Sequence, residues 1–314
     1  MCASEANILV GNGKLNGERP LPTGDYVQLL GEMYYRIAHV DQMPPFFMSL
    51  VSSADHWLFI ASNGGLTAGR KNAESPLFPY ETEDKIAANY THTGNKTIVR
   101  LRRHGRTYLW EPFSDRYAGI YRLERHLYKN IPGNKLVFEE INHDRELTLR
   151  EAWRTSDQFG FVCSSWLLNN ESSPCQVTLL DGLQNLLPYG ATTTLQTTMS
   201  SLLQAYKRSE LDSATGMGIF ALSATLTDRA EPSESLMATI AWQVGLQADG
   251  YLLCSDQLNR FRFGNDLSPE QDICGKAGAY LVNATFNLEP GQEKRWHIVA
   301  DVNQDSTAVT RYRH

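Results

Sequence analysis

A dense run of polar and aromatic side chains lies between residues 63 and 85, in the segment NGGLTAGRKNAESPLFPYETEDK. Guanidinium, amide and carboxylate groups bind polar ligands through hydrogen bonds, and aromatic rings supply apolar contact surface. Polar groups at this density rarely serve a core, because each buried group without a partner costs about 1–3 kcal/mol. The alternative is a capping loop whose polar groups are satisfied locally. We predict that the following residues of this segment bind a substrate: Arg70, Asn72, Phe78, Tyr80 and Asp84.

A tryptophan outside this segment joins the predicted set. Trp110 is followed by Glu111-Pro112, and Tyr80 is preceded by Phe78-Pro79. An aromatic ring beside a charged residue can stack on a sugar if it faces a groove. The alternative for both elements is an ordinary place in the core.

A predicted β-hairpin positions the segment. Two apolar runs, Phe46–Val51 and Trp57–Ala61, are separated by the turn-forming sequence SSAD. Both faces of the second run are largely apolar, so we expect the hairpin to be covered on both sides. The paired glycines Gly64-Gly65 then allow backbone angles that other residues avoid.

Sequence signatures of catalysis are absent: the chain has no GxSxG elbow, HExxH pair or phosphate-binding loop. A sugar epimerase would need a carboxylate base and histidine acids on one face of a sheet. His104 and His143 fall in predicted turns, whereas His126 remains open as a candidate. We therefore assign no catalytic residue.

Short apolar stretches separated by polar turns continue to the end of the chain, which is typical of an antiparallel sandwich or barrel. His104-Gly105 predicts a two-residue hairpin turn. Thr192–Leu211 has apolar residues at helical spacing and predicts a helix packed on a sheet. We expect an all-β fold with one or two accessory helices. We divide it into a lead-in with a first strand at 1–44 and a single sandwich domain at 45–314.

Composition narrows the function classes. The net charge of −6 argues against a nucleic-acid partner, which needs a basic face. The five cysteines lack metal-site spacing, and no cofactor is expected. The N-terminus has no signal-peptide pattern and no apolar run is long enough to span a membrane, so we expect a cytoplasmic protein without a membrane partner.

Three stretches resemble the N-terminal region of cellobiose-phosphorylase-like proteins. They are the anchor stretch from Pro45 to Ile86, the sequence HGRTYLWEPF, and the sequence LNNESSPCQVTLLDGLQNLLPYG. The resemblance implies a large antiparallel β-supersandwich of the galactose-mutarotase-like kind. In that family a linker and a catalytic (α/α)6 barrel follow, and we expect the barrel to be absent from this chain.

The resemblance implies a supporting module that binds carbohydrate and lends loop residues to a sugar site in the missing barrel. The expected partners are an oligosaccharide and the barrel of the parent enzyme, a glycoside phosphorylase or hydrolase. The isolated chain is then expected not to be catalytic, and assembly as a homodimer is left open. The alternative is a stand-alone mutarotase-like epimerase, or another polysaccharide-active enzyme, on the same fold.

Overall fold

The structure, a computed structural model, describes residues 9–10, 13–14, 20–224 and 237–312. Most of the described chain is β-strand, so the all-β prediction is confirmed. In chain order the strands of this part are β1 Leu9–Val10, β2 Gly13–Lys14, β3 Thr23–Leu29, β4 Glu32–Ala38, β5 Phe47–Leu50, β6 His56–Ala61, β7 Leu66–Arg70, β8 Gly94–Arg103, β9 Arg106–Trp110, β10 Leu123–Asn130, β11 Lys135–Asn142, β12 Leu147–Ser156, β13 Gly160–Asn169, β14 Cys175–Leu186, β15 Lys207–Asp212, β16 Met217–Leu222, β17 Met237–Val244, β18 Gly250–Leu252, β19 Asp272–Cys274, β20 Gly278–Leu288 and β21 Glu293–Asp305. The α-helices are α1 Glu83–Ile86, α2 Thr193–Thr198, α3 Ser200–Tyr206, α4 Leu258–Arg262 and α5 Ser306–Tyr312.

Two antiparallel sheets form the sandwich. The larger has eleven strands in the order β19-β15-β16-β17-β21-β13-β12-β11-β10-β4-β3, and the smaller has five in the order β18-β20-β14-β8-β9. A third sheet, β5-β6-β7, is built from the anchor stretch. No helix in the described ranges is both long and apolar enough to cross a bilayer.

The core lies between the sheets, because alternate residues of each strand point to the same face. Leu147, Leu149 and Trp153 of β12 belong to one buried cluster with Val177 and Leu179 of β14. The other face of the eleven-stranded sheet, which we call the outer face, carries a separate cluster that includes Val137, Ala152 and Trp166.

The hairpin predicted from Phe46–Val51 and Trp57–Ala61, which we call the anchor hairpin, is confirmed. Its strands β5 and β6 pair from Phe47↔Ala61 to Leu50↔Leu58. The expectation that both of its faces are covered is wrong. Leu58 and Ile60 are fully buried on one face, whereas Trp57 and Phe59 on the other face are only half-buried. The difference arises because the three-stranded sheet packs onto the core through one side alone.

The predicted helix over Thr192–Leu211 is half right. It forms two short helices, α2 and α3, broken at Met199, where φ is −133°. From Lys207 the chain continues as strand β15, which pairs with β16. Pairing with an existing sheet edge outweighs a weak helical pattern, because helix propensity is a weak prior.

The predicted lead-in at 1–44 lies partly outside the described residues. Within it, β3 and β4 form a hairpin through Leu30 and Gly31, both with positive φ, and this hairpin is one edge of the large sheet. The turn at His104-Gly105 is confirmed, with φ values of 49° and 74°.

Candidate functional site

A pocket of about 420 Å³ opens at one end of the large sheet. Three loops surround it: the β4–β5 loop, the tip between β6 and β7, and the β9–β10 loop. We call it the end pocket. The structure gives it these lining residues: Val40, Asp41, Gln42, Met43, Pro45, Ser62, Asn63, Phe113, Asp115, Ala118, Gly119, Tyr121, Leu123, Arg125, His126 and Phe138.

A glycine pair shapes the wall at the β6–β7 tip. Gly64 has φ +91°, a conformation that favours glycine. A Cβ at Gly65 would lie 2.0 Å from the carbonyl oxygen of Ile86, so no larger residue fits there. The turn places Asn63 at the pocket, where its Nδ2 donates to the carbonyl of Ala87 at 2.8 Å.

An ion pair fixes the floor of the pocket. Glu140 is fully buried, and its Oε2 accepts from Arg125 Nε and from the backbone N–H of Phe113, both at 2.7 Å. Its Oε1 accepts from the indole of Trp110 at 2.7 Å. Arg125 also donates to Asp115 at 2.8 Å. Burial opposes the charge of Arg125, but Glu140 and Asp115 raise its pKa, so the guanidinium stays charged.

Strained backbone occurs on two of the surrounding loops. Phe113 and His39 adopt left-handed conformations, with φ of 57° and 56°. Histidine adopts this conformation more often than most residues, so Phe113 is the more strained of the two, and such strain concentrates at functional sites. In both cases a hydrogen bond holds the residue in place, since Phe113 N–H donates to Glu140 and His39 N–H donates to His126 Nδ1.

One histidine of the pocket has a defined tautomer. His126 Nδ1 accepts from His39 N–H at 3.2 Å, so the neutral ring carries its proton on Nε2, which lies 3.4 Å from Glu124. Burial is the main cause that lowers the pKa of His126. The other oxygen of Glu124 lies 3.0 Å from His143 Nε2. A carboxylate therefore lies between two imidazoles beside the pocket.

A narrow recess of about 40 Å³ shares Asn63, Phe113 and Phe138 with the end pocket and reaches Glu151. Thr97 Oγ1 lies 2.8 Å from Glu151 Oε1 and also contacts Asp181 Oδ1. A hydroxyl has one proton, so it can donate to only one of these carboxyl groups. The second contact requires a proton on a carboxyl group. We call Glu151 and Asp181 the acid pair, and Thr97 is the residue that bridges them.

The pKa values of the acid pair agree with this proton count. Burial raises the pKa of Glu151 to about 8, and the charge of Asp181 adds to the effect. Burial also raises the pKa of Asp181 to about 6, while hydrogen bonds from Thr97 and Trp296 oppose the rise. The indole of Trp296 donates to Asp181 at 2.6 Å. Glu151 therefore holds a proton at neutral pH.

A further buried carboxylate, Glu111, lies next to Lys96, which lines the recess. Glu111 accepts two hydrogen bonds from Arg262 of α4, at 2.8 and 2.9 Å, and lies 2.7 Å from Lys96. Burial alone would raise the pKa of Glu111, but the hydrogen bonds from Arg262 and Lys96 lower it overall. This ion-pair network anchors α4 to the end of β9.

The residues predicted from the sequence do not gather in one place. Arg70 donates to Asp301 at 2.8 and 3.1 Å and to Asp55 at 3.1 Å. Asn72 accepts from the backbone N–H of Glu74, and its carbonyl accepts from the indole of Trp57. Each of these groups has a partner within the chain.

Two of the predicted aromatic residues are buried and one is exposed. Phe78 and Trp110 lie in the core, and the Trp110 indole is used by Glu140. Tyr80 is 43% exposed and packs edge-on against Trp57, with ring centroids 5.6 Å apart. Asp84 lies on the surface at α1 and accepts from Thr82 at 2.6 Å. Asn72, Tyr80 and Asp84 are thus the exposed members of the set.

The sequence analysis missed the acid pair. Glu151 occupies the inward position in the alternation Leu147, Leu149, Glu151, Trp153. Asp181 occupies the corresponding position after Val177 and Leu179. A carboxylate on the apolar face of a strand is the signal that could have found both, because unpaired buried charges are costly.

No protein-family model and no curated protein sequence matches the chain. Among solved structures it is similar to a polysaccharide lyase, with TM-score 0.43, 11% identity and coverage of 83% of this chain and 33% of the other. It is similar to a bacterial glucoamylase complexed with acarbose, with TM-score 0.44, 9% identity and coverage of 86% and 35%. It is also similar to a galactose mutarotase-like protein from Lactobacillus casei, with TM-score 0.42, 11% identity and coverage of 82% and 100%.

The chain thus spans about a third of the length of the first two proteins and the whole of the third. The large antiparallel β-sandwich that the sequence resemblance implied is found in the structure. Because the TM-scores lie below 0.5, we derive function from the side chains of this chain.

Proposed function

We propose that this chain is a non-catalytic sugar-binding module that supports the catalytic (α/α)6 barrel of a parent carbohydrate-active enzyme. The end pocket is the observation that carries the proposal. Its volume of about 420 Å³ falls within the range of small-ligand sites, about 300–1,000 Å³. The sequence resemblance to cellobiose-phosphorylase-like proteins supports the same function.

The lining of the end pocket suits a neutral sugar. Phe113, Tyr121 and Phe138 supply aromatic surface, while Asp41 and Asp115 supply acceptors for hydroxyl groups. Sugars have apolar ring faces and polar edges, so a site for them needs both kinds of surface. The fixed Arg125–Glu140 pair keeps the floor in place, which reduces the ordering cost of binding.

The segment from residue 63 to residue 85 contributes to this function in two ways. Asn63 lines the end pocket itself. Asn72, Tyr80 and Asp84 are exposed, and we retain them as the residues of the predicted set that can reach a sugar held by the barrel. Arg70 and Phe78 make their contacts within the chain, and the indole of Trp110 donates to Glu140 at the floor of the end pocket.

An epimerase is the second candidate, and the contacts of Glu124 with His126 and His143 favour it. Epimerisation of a sugar needs groups that remove and return protons, and a carboxylate beside two imidazoles can do this. If this chain is an epimerase, the wild-type protein should accelerate the interconversion of α- and β-glucose, measured by polarimetry. The His126→Gln variant should lose that acceleration.

Titration of the isolated chain with glucose and cellobiose, followed by amide NMR, tests the proposed function. We expect saturable shifts at Ala118 and Gly119, which line the end pocket. We expect no release of sugar from cellobiose with water or with phosphate. The absence of saturable shifts at these amides would contradict sugar binding. Sugar release that is lost on replacing a carboxylate of this chain would contradict the non-catalytic role.

A further inference from the structure

The outer face of the large sheet presents an ordered grid of side chains. In the register of the sheet, Ala152 of β12 is opposite Ser164 of β13, which is opposite His297 of β21. One row away, Arg150 is opposite Trp166, which is opposite Arg295. Neighbouring strands lie about 4.8 Å apart, so side chains of adjacent positions on this face are in reach of one another.

Small residues form the floor of this grid. Ser164 is 5% exposed and Ala152 is 9% exposed, while Arg154 at the edge of the grid is exposed. The hydroxyl of Ser164 lies 2.8 Å from Nδ1 of His297. This contact fixes the imidazole above the floor, and its Nε2 has no hydrogen-bond partner among the described residues.

The charges on this part of the outer face are not balanced. Arg150 is paired with Glu139, Arg295 with Glu293, and Lys135 with Glu32. Arg154 has no ion pair or hydrogen bond within the described ranges, although Lys135 is directly opposite it in the register. Like charges in opposite positions destabilise a sheet, so a second cation without a counter-ion is costly here.

The pKa of His297 reflects the same excess of positive charge. Burial lowers its pKa, and the charges of Arg154 and Arg295 lower it further. Both guanidinium groups therefore act on the imidazole, and the nearby carboxylates Glu139 and Glu293 are already held by other arginines. An anion that bound here would relieve the repulsion among these groups.

We propose that the outer face holds an oxyanion site, formed by Arg154, His297 and Ser164, for a carboxylate or phosphate group. A guanidinium group binds such groups through two parallel hydrogen bonds. The site is on the opposite face of the sheet from the core and is independent of the end pocket.

Imidazole NMR of the full chain tests this site, because anion binding should raise the pKa of His297. The probes are inorganic phosphate, glucose 6-phosphate, glucuronate and neutral glucose at constant ionic strength. We expect the pKa of His297 to rise with at least one anion and not with glucose. Arg154→Gln should weaken that binding about tenfold or more, because a charge-assisted pair is lost.

Arg106→Gln is the matched control, since Arg106 is an exposed arginine of β9 without an ion pair in the described part. It should leave anion binding unchanged. Equal effects of phosphate and glucose 6-phosphate would show that the site takes the free anion, and a response to sugar-borne anions alone would show that the sugar is bound as well. Both results support the site. An unchanged His297 pKa with every anion, or equal losses in the two arginine variants, would overturn it, whatever glucose does at the end pocket.

Discussion

The end pocket and the segment from residue 63 to residue 85 contain the same kinds of side chains, but use them differently. In the segment, Arg70 reaches back to Asp301, and Phe78 is in the core. In the end pocket, Asp41 and Asp115 from separate loops face one shared space. A binding site requires convergence of groups on a ligand, whereas a high density of polar residues can equally serve the chain itself.

The largest expected effect concerns Arg70. Its partner Asp301 has a side chain only 2% exposed, and burial raises the pKa of Asp301 to about 6 despite the opposing charge of Arg70. Arg70→Ala would leave this buried carboxylate without its main partner. We expect the free energy of unfolding in urea to fall by roughly 3–5 kcal/mol, as for other broken buried pairs.

Arg36→Ala is the matched control for Arg70→Ala. Arg36 also forms a two-fold contact with an aspartate, Asp25, at 2.9 Å, but both side chains are substantially exposed. Exposed pairs contribute about 1 kcal/mol or less, so the loss should be small. If Arg70→Ala were as mild as Arg36→Ala, Arg70 would return to the set of ligand-binding candidates.

The next prediction concerns the acid pair and pH. The pKa of Glu151 is about 8 in the folded protein and is raised by burial, whereas an unfolded glutamate titrates near 4.3. Between these values the folded state binds the extra proton, so the contribution of Glu151 to stability falls as pH rises from about 5 to about 8. The slope attributable to Glu151 is at most about 1.4 kcal/mol per pH unit.

Glu151→Gln tests this pH dependence, because the amide keeps a hydrogen-bonding group beside Thr97 but cannot ionise. Urea unfolding of both proteins should show that the stability of the wild type falls relative to that of the variant as pH rises from about 5 to about 8. Parallel curves for the two proteins would mean that Glu151 does not hold a proton in the folded state.

A smaller effect is expected for Arg125→Lys. The guanidinium of Arg125 contacts Glu140, Asp115 and the carbonyl of Ser114 simultaneously, and a lysine ammonium cannot reproduce this fork. We expect a loss of about 1–3 kcal/mol in stability from unsatisfied buried groups, together with weaker sugar binding. Unchanged sugar affinity in a folded Arg125→Lys protein would show that the floor of the end pocket does not shape the site.

The sequence allowed the architecture to be predicted because alternation and turn chemistry are local signals. The anchor hairpin and the turn at His104-Gly105 follow from such signals and are confirmed. Strand β15 was missed although it forms a tight hairpin with β16, with Asp212 opposite Met217, because the apolar residues at helical spacing continue to Tyr206, directly before it. The helix predicted over Thr192–Leu211 therefore ends too late, because the helical part of the chain ends at Tyr206.

The candidate site was less predictable for a related reason. Asp41, Asp115 and Arg125 come together only because the β4–β5 loop and the β9–β10 loop meet strand β10 at one end of the large sheet. No spacing in the sequence encodes that meeting. Arg70 pairs with Asp301, which is far away in the sequence. Part of the segment that we predicted to bind a ligand therefore stabilises the fold instead.

The most direct measurement compares sugar affinity in Asp41→Ala and Asp84→Ala by calorimetry. Both aspartates are exposed, but Asp41 lines the end pocket and Asp84 lies on the predicted segment. If the isolated module binds sugar in the end pocket, Asp41→Ala should weaken binding about tenfold, which is about 1.4 kcal/mol, and Asp84→Ala should have no effect. Weakened binding in Asp84→Ala with normal binding in Asp41→Ala would contradict the end pocket as the sugar site.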